Sequence, residues 1–226
     1  MEPSTSVQDY LKEIYSLAQS GQEVTTSALA DRLRVSPASV TGMVKRLDER
    51  ELVTHRRYRG VELTEKGRDT ALEVIRHHRL LEAYLHRALG LPWDRVHDEA
   101  EVLEHALSEE LEDRIAELLG HPTHDPHGDP IPPKKGEHVE VMHQGLDSFG
   151  DGPAVVQRVS DRNPEALRYL SSLGLRPGRA IVVEDHAPFR GPVWIRVGRR
   201  RHAIGRELAA TIYVSRPEEA EAGRPR

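Results

Sequence analysis

The chain of 226 residues contains no cysteine, few aromatic residues and no long apolar run. Without cysteine it can form neither disulfides nor thiolate metal sites. Aromatic residues make up 4% of the chain, which disfavours an aromatic-lined pocket for an organic ligand. No apolar run approaches the roughly 20 residues that a membrane span needs, and residues 1–10 lack the layout of a signal peptide. We therefore expect a cytoplasmic protein without a membrane partner.

Charge is distributed unevenly along the chain, although the net charge is only −5. Residues 32–68 hold 10 basic and 5 acidic residues, whereas residues 71–135 hold 7 basic and 14 acidic residues. Eight of the 13 histidines also lie in this second segment. A basic segment suits nucleic-acid phosphates, and an acidic segment rich in imidazole attracts divalent cations.

The N-terminal third predicts a winged helix-turn-helix, a DNA-binding module. An apolar stripe from Val7 to Leu17, a cap at Thr25 or Thr26, and the pair Ser36-Pro37 mark the starts of three helices. Two β-prone runs, Leu52–His55 and Gly60–Leu63, flank the basic tip of the wing. A winged-helix module that binds protein is the alternative. The residues expected to face DNA bases or phosphates are Ser36, Pro37, Ala38, Ser39, Thr41, Gly42, Lys45, Arg46, Arg56, Arg57 and Arg59.

The stretch from His97 to His105 carries the most specific chemical pattern. On a helix from about 94 to 107, His97, Glu101, Glu104 and His105 share an arc of about 100°. Carboxylate and imidazole together bind Mn²⁺, Fe²⁺, Co²⁺ or Zn²⁺, although a solvated acidic face is the alternative. His78 and Glu82 share one face of the preceding helix, and a tight turn at 90–93 makes the two helices neighbours. The opposite, core-facing side holds Val102, Leu103, Ala106 and Leu107.

Proline, glycine and histidine dominate the segment from Gly120 to Pro133, which predicts an irregular linker with its histidines on the surface. Short strands follow from about Gly152, interrupted by a helix that Asn163 caps. Strands at this spacing predict a small β-barrel. The polar tail after Ser215 is expected to be disordered.

Three segments, VHDEAEVLEH, LSEELEDRI and HGDPIPP, resemble metal-dependent repressors of the diphtheria-toxin-repressor/MntR family. The resemblance extends over nearly the whole chain and implies a mainly α fold with a small β part. It implies a winged helix-turn-helix over 1–73, a helical metal-binding and dimerisation domain with its linker over 74–135, an SH3-like (FeoA-like) β-barrel over 136–216, and a tail over 217–226.

The resemblance also implies metal ligands. Asp9 matches the ligand that the family's first helix supplies to the main site, and the others fall on Glu101, Glu104 and His105. An ancillary ion would take ligands from the barrel, with Asp161 and Glu165 as candidates. The family's iron branch has methionine and cysteine at the positions of Asp9 and Glu101, so that oxygen donors here favour Mn²⁺. The ancillary site of the iron branch would here have His78, Glu82 and His97 as ligands.

The resemblance implies a homodimer that binds double-stranded operator DNA when Mn²⁺ is bound and represses metal-uptake genes. Lys12 replaces a carboxylate of the manganese branch, which makes a binuclear main site doubtful. The alternatives are an Fe²⁺-dependent repressor of the same fold and a winged-helix regulator of an organic ligand. Co²⁺, Ni²⁺, Zn²⁺ or Cd²⁺ could bind in vitro. A metal-dependent hydrolase is disfavoured because no H-E-x-x-H motif occurs. Candidates for the dimer interface and adjoining core are Leu103, Leu107, Leu111, Ile115 and Leu118.

Overall fold

The structure, a computed structural model, describes residues 3–19, 21, 23–56, 60–134 and 143–222. The chain forms two compact units. Unit 1 comprises residues 1–78, 103–108 and 132–136, and unit 2 comprises residues 79–102, 109–131 and 137–226. No helix in the described part of the chain is both long and apolar enough to cross a membrane.

Unit 1 contains the winged helix-turn-helix. Its elements are α1 (Thr5–Gln19), α2 (Thr26–Leu33), α3 (Pro37–Glu49), β1 (Val53–Arg56), β2 (Gly60–Leu63) and the first part of α4 (Glu65–Arg87). The predicted caps at Thr25 and Ser36 are confirmed, since each accepts a backbone N–H group at the start of its helix, and Thr64 caps α4 in the same way. Arg34 ends α2 in the left-handed conformation, and this sharp turn sends the chain into α3.

The core of unit 1 brings the three helices and the wing together. The apolar faces of α1 and α3 meet there, and the antiparallel pair β1–β2 closes one side. The fully buried side chains include Leu11, Ile14, Leu29 and Leu47. Packing of this kind holds one face of α3 inward and leaves its other face exposed.

The helix predicted from about 94 to 107 is divided in the structure. The α-helix α5 (Val96–Leu103) stops after eight residues, and Glu104–Ala106 form a turn of 3₁₀ helix that belongs to unit 1. A 3₁₀ turn rotates each residue by about 120°. The α-helical spacing on which the predicted arc rests therefore holds for His97 and Glu101, and not for Glu104 and His105. The expected core side is also wrong within one subunit, since Val102 is 75% exposed and Leu103 is 42% exposed.

Unit 2 contains the rest of α4, α5, α6 (Glu109–Leu118) and a six-stranded antiparallel sheet. Between the strands lie α7 (Pro164–Ser172), which Asn163 caps as predicted, and the short α8 (Arg206–Ala209). The sheet order is β3-β8-β4-β5-β6-β7. The strands are β3 (Gln144–Gly145), β4 (Gly152–Val159), β5 (Ala180–His186), β6 (Val193–Val197), β7 (Arg200–Ile204) and β8 (Ile212–Ser215).

The segment between α6 and the sheet is not a solvent-exposed linker. Its residues pack onto β4, where the N–H of Val159 donates to the carbonyl of His127. A Cβ at Gly128 would lie 2.0 Å from the carbonyl oxygen of Gln157, so that only glycine permits this approach. The prediction that the histidines of this segment lie on the surface holds for His121 and His124, but His127 is fully buried.

The tail also differs from the prediction, because Pro217–Ala222 form a short helix, α9. The carboxylate of Glu219 accepts the backbone N–H of Arg216, and proline fits the first helical position. The guanidinium of Arg216 lies over the Phe149 ring and donates to the carbonyl of Asp151, which fixes the start of α9.

Candidate metal centres and DNA-reading surface

A first cluster of metal-ligand side chains lies within unit 1 and joins α1 to the 3₁₀ turn. Asp9, Glu104 and His105 each offer a ligand atom, and these atoms lie within 4.8 Å of one another. The Nε2 atom of His105 is 2.9 Å from Asp9 Oδ1 and 3.5 Å from Glu104 Oε1. Residues almost one hundred positions apart thus form one set of two carboxylates and one imidazole.

Glu104 is the buried centre of this cluster. The ammonium of Lys12 donates to its Oε1 at 2.6 Å, and Nδ1 of His78 donates to its Oε2. Burial raises the pKa of Glu104, but the hydrogen bond from His78 and the charge of Lys12 lower it more, so that its pKa lies below the ordinary value. Glu104 is therefore ionised, the state in which a carboxylate binds metal.

Gln8 is a residue of this site that sequence reasoning missed. Nδ1 of His105 donates to the side-chain oxygen of Gln8 at 2.7 Å, because an amide oxygen can only accept. The other ring nitrogen, Nε2, is thereby directed towards Asp9. A hydrogen bond from the second ring nitrogen is how metal-binding histidines are commonly oriented. No sequence signal marked Gln8, which precedes Asp9 on α1.

Glu101 belongs to unit 2, where its carboxylate lies 3.8 Å from Nε2 of His97, one helical turn earlier. Both residues are on α5, so that the predicted spacing of four is confirmed for this pair. The assignment of Glu101 to the main site stays a prediction.

A second cluster lies within unit 2 and joins α4, α5 and the residues after β4. Nδ1 of His97 is 3.3 Å from Glu82 Oε1 and 3.1 Å from Asp161 Oδ2. Of the two candidate ligands predicted in the C-terminal domain, Asp161 therefore belongs to this cluster. Glu165, the other candidate, is exposed in the first turn of α7, where its backbone N–H donates to the cap residue Asn163.

His127 and Asp125 extend the second cluster on its buried side. Glu82, Asp125 and His127 are all buried and offer ligand atoms within 4.8 Å of one another, with His127 Nδ1 at 3.4 Å from Glu82 Oε2. Nε2 of His127 donates to the carbonyl of Trp93 at 2.7 Å, and its ring stacks on that indole. Because a carbonyl can only accept, Nε2 carries the proton and Nδ1 faces the carboxylates.

The carboxylates of the second cluster raise the pKa of both of its histidines. Burial lowers the pKa of His97, but the hydrogen bonds and charges of Asp161 and Glu82 outweigh it and raise the pKa to about 11. Burial opposes protonation of His127 too, and Glu82 and Asp125 raise its pKa to about 10. Several carboxylates in one buried place therefore require positive charge nearby, and the oxygen and nitrogen donors suit a divalent cation.

The predicted DNA-reading residues lie on the exposed face of α3. Val40, Val44 and Leu47 point into the core, whereas the first turns of the opposite face carry only small side chains. A Cβ at Gly42 would meet nothing within 4 Å, which leaves room for a close approach of DNA bases. The residues of the prediction that lie on this exposed face or at its start are Ser36, Pro37, Ala38, Ser39, Thr41, Gly42, Lys45 and Arg46.

The wing is present as an antiparallel pair of strands in which Arg56 is opposite Gly60. Arg56, predicted to lie at the wing tip, is the last residue of β1. Arg57 and Arg59, predicted to contact phosphates, lie outside the described residues. Their contribution to DNA binding stays a prediction.

Comparison with known proteins matches three segments of the chain to described domains. Residues 3–61 match the N-terminal DNA-binding domain of iron-dependent repressors, and residues 64–133 match their metal-binding and dimerisation domain. Residues 151–216 match the FeoA domain. These three matches include every side chain of the two clusters.

Two relatives that cover more than nine tenths of the chain are repressors, one named for iron and one for manganese. The iron-dependent repressor IdeR of Mycobacterium tuberculosis (strain ATCC 25618 / H37Rv) is 42% identical over 220 residues, which are 92% of this chain and 95% of the relative. The regulator MntR of Geobacillus kaustophilus (strain HTA426) is 38% identical over 52% of this chain and 82% of its own. A solved manganese-dependent transcriptional repressor in complex with manganese has 39% identity and a TM-score of 0.88, covering 93% of this chain and 99% of that one.

The family to which these matches point consists of DNA-binding transcriptional repressors and not of enzymes, which removes the hydrolase alternative. Their family binds DNA, dimerises and binds metal ions. The chain belongs to the diphtheria-toxin-repressor/MntR family and is a metal-dependent transcriptional repressor.

Proposed function

We propose that this repressor is activated by Mn²⁺ and binds operator DNA as a homodimer. The observation that carries the proposal is the first cluster, in which Asp9, Glu104 and His105 combine two carboxylates with one imidazole. Hard oxygen donors suit Mn²⁺, whereas iron and the later metals tolerate softer ligands. We also propose Glu101 as a further ligand of this site. We propose 1–73, 74–135 and 136–216 as the domain boundaries of the protein.

The cluster links DNA binding to metal through α1. Asp9 lies on α1, whose other face packs in the core beneath α3, and its partners lie on the 3₁₀ turn. A divalent ion, when bound, supplies one positive centre to which both segments attach. Asp9, Glu104 and His105 would hold that ion, and Lys12 and His78 keep Glu104 ionised. The recognition helices of the two subunits must lie about 34 Å apart, one turn of DNA, to bind two half-sites. Fixing the position of α1 therefore favours the conformation that can bind DNA.

We propose the second cluster as a further cation site, formed by Glu82, His97, Asp161, Asp125 and His127. Its carboxylates raise the pKa of both imidazoles, and the same negative charge favours a divalent cation. The site would tie the metal-binding helices to the C-terminal sheet, because Asp161 follows β4. His78, one turn before Glu82 on α4, stays a predicted ligand of this ion.

The test of activation is a titration of purified protein and operator DNA, followed by fluorescence anisotropy. Tight DNA binding is expected only with metal, and at lower free Mn²⁺ than free Fe²⁺ measured without oxygen. Iron activation at the lower free concentration would assign the protein to iron. DNA binding that persists unchanged with chelator would contradict metal control and favour an organic ligand.

Removal of the His127 side chain tests the second site. His127→Phe retains a ring against Trp93 but loses the nitrogen that faces Glu82. We expect the variant to bind one Mn²⁺ ion fewer per subunit, or to bind that ion at least about tenfold more weakly. Equilibrium dialysis with detection of free Mn²⁺ by electron paramagnetic resonance measures both quantities.

His124→Phe is the matched control, because His124 is exposed three residues earlier in the same segment. Asp125→Asn provides a second variant with little risk to folding, since an amide oxygen can still accept the N–H groups of His127 and Asp129. The same number and affinity of ions in wild type, His127→Phe and Asp125→Asn would exclude these residues as ligands.

A further inference from the structure

Five exposed arginines form a patch on the C-terminal sheet, at the end that carries the β6–β7 turn. Arg196 lies on β6 directly opposite Arg201 on β7, and Arg199 lies in the turn between them. Arg179, before β5, places its guanidinium beside Gly198 of the same turn. We call this set, with Arg200, the arginine patch.

Positive charge in the arginine patch is only partly balanced. Glu184 on β5 accepts from Arg196 at 2.8 Å and from Arg201 at 2.9 Å, and Arg201 also stacks over Trp194. Within the described residues, the side chains of Arg179, Arg199 and Arg200 have no ion-pair partner. Like charges on opposite residues destabilise a sheet, so that this concentration carries a cost.

Protection of the sheet edge accounts for only part of the arginine patch. β7 is an edge strand, and charged side chains on an edge prevent pairing with another chain. That role explains Arg200 and Arg201. It does not explain Arg196 on an inner strand, or Arg199 and Arg179 in turns.

We propose that the arginine patch binds the phosphate backbone of duplex DNA, as a second DNA contact of this repressor besides α3 and the wing. Guanidinium groups form paired, charge-assisted hydrogen bonds with phosphate oxygens. The positive charge of the three arginines without ion-pair partners is complementary to that of DNA, a polyanion that the family binds. Contacts to phosphate carry no sequence information, so that the patch strengthens binding to operator and unrelated duplex alike.

The experiment compares full-length, metal-loaded protein with the variant Arg199→Gln/Arg200→Gln. DNA affinity is measured by anisotropy between 50 and 200 mM salt, on operator and on unrelated duplex. The negative slope of log affinity against log salt is expected to become less steep by roughly 0.9 for each phosphate that the variant no longer neutralises. Binding to both duplexes is expected to be about tenfold weaker. Thermal melting checks that the variant is folded.

Arg190→Gln is the matched control for Arg199→Gln. Arg190 is also exposed, but it lies in the β5–β6 loop, beyond the other end of β6 and roughly 15 Å away. Arg199→Gln should lower the salt slope and Arg190→Gln should not. Equal slopes for wild type and all three variants would overturn the proposal. Self-association of the double variant with an unchanged salt slope would likewise overturn it, leaving edge protection as the role of the patch.

Discussion

Replacement of Asp9 by asparagine is expected to abolish the metal response of DNA binding while the protein remains folded. The side chain of Asp9 is 34% exposed and pairs with His105 at 2.9 Å. A partly exposed ion pair of this kind contributes at most about 1 kcal/mol to the free energy of unfolding. Loss of a carboxylate ligand, in contrast, removes both a strong donor and a negative charge from the first cluster.

The metal affinity of Asp9→Asn should fall by more than the roughly 10- to 100-fold that loss of an outer-shell partner costs. The measurement is the midpoint of DNA binding against free Mn²⁺, which should move by at least that factor or disappear. The affinity for Mn²⁺ of the second cluster should be unchanged, because Asp9 is not among its ligands.

Glu13→Gln is the control for this prediction. Glu13 is one turn after Asp9 on α1 and carries the same charge, but it pairs with Arg32 of α2 at 2.8 Å. The control therefore removes a carboxylate from the same helix without altering the metal-ligand set. A normal Mn²⁺ midpoint in Asp9→Asn, equal to that of Glu13→Gln, would show that the first cluster does not regulate DNA binding.

The winged helix was predictable from the sequence because local signals specify it. Thr25, Ser36 and Thr64 are hydroxyl caps that act within three residues of their own position. The charged edge strand β7 was missed because its residues, RRHAI, do not alternate between apolar and polar, and the edge position of a strand is a tertiary property.

The geometry of the metal clusters was less predictable, because contacts between distant residues determine it. The interruption after Leu103 has no glycine or proline to mark it. It places Glu104 in the interior of unit 1, where Lys12 and His78 neutralise its charge. Lys12 was predicted only to prevent a binuclear site, and its contact with Glu104 could not be inferred from a single helix. His127 looked like a loop residue because burial by β4 depends on the whole sheet.

The substitution Leu118→Lys is expected to convert the dimer into monomers and to lower DNA affinity at the same time. Leu111 and Leu118 lie seven residues apart on α6 and are 51% and 67% exposed, while Ile115 between them is buried. Residues 64–133, which include α6, match a dimerisation domain. We therefore propose the exposed leucines of α6 as part of the dimer interface.

The expected effect is large because a two-fold interface contains each residue twice. Burial of one leucine side chain contributes about 2 kcal/mol, so that two copies contribute about 4 kcal/mol, a factor of roughly 1,000 in the dissociation constant. A lysine in that place also loses hydration on burial. Sedimentation equilibrium measures the dissociation constant of the dimer directly.

Leu89→Lys is the matched control, since Leu89 is 55% exposed just after α4 and lies outside the α6 stripe. It should remain dimeric and bind DNA normally. The DNA affinity of Leu118→Lys should fall because the dimer no longer presents two linked DNA-binding domains to the two half-sites at a high effective concentration. Leu111→Lys should reproduce the effect. A dimer of unchanged stability in both α6 variants would place the interface on another surface. Monomers with normal DNA affinity would show that the DNA-binding domain of one subunit is sufficient for operator binding.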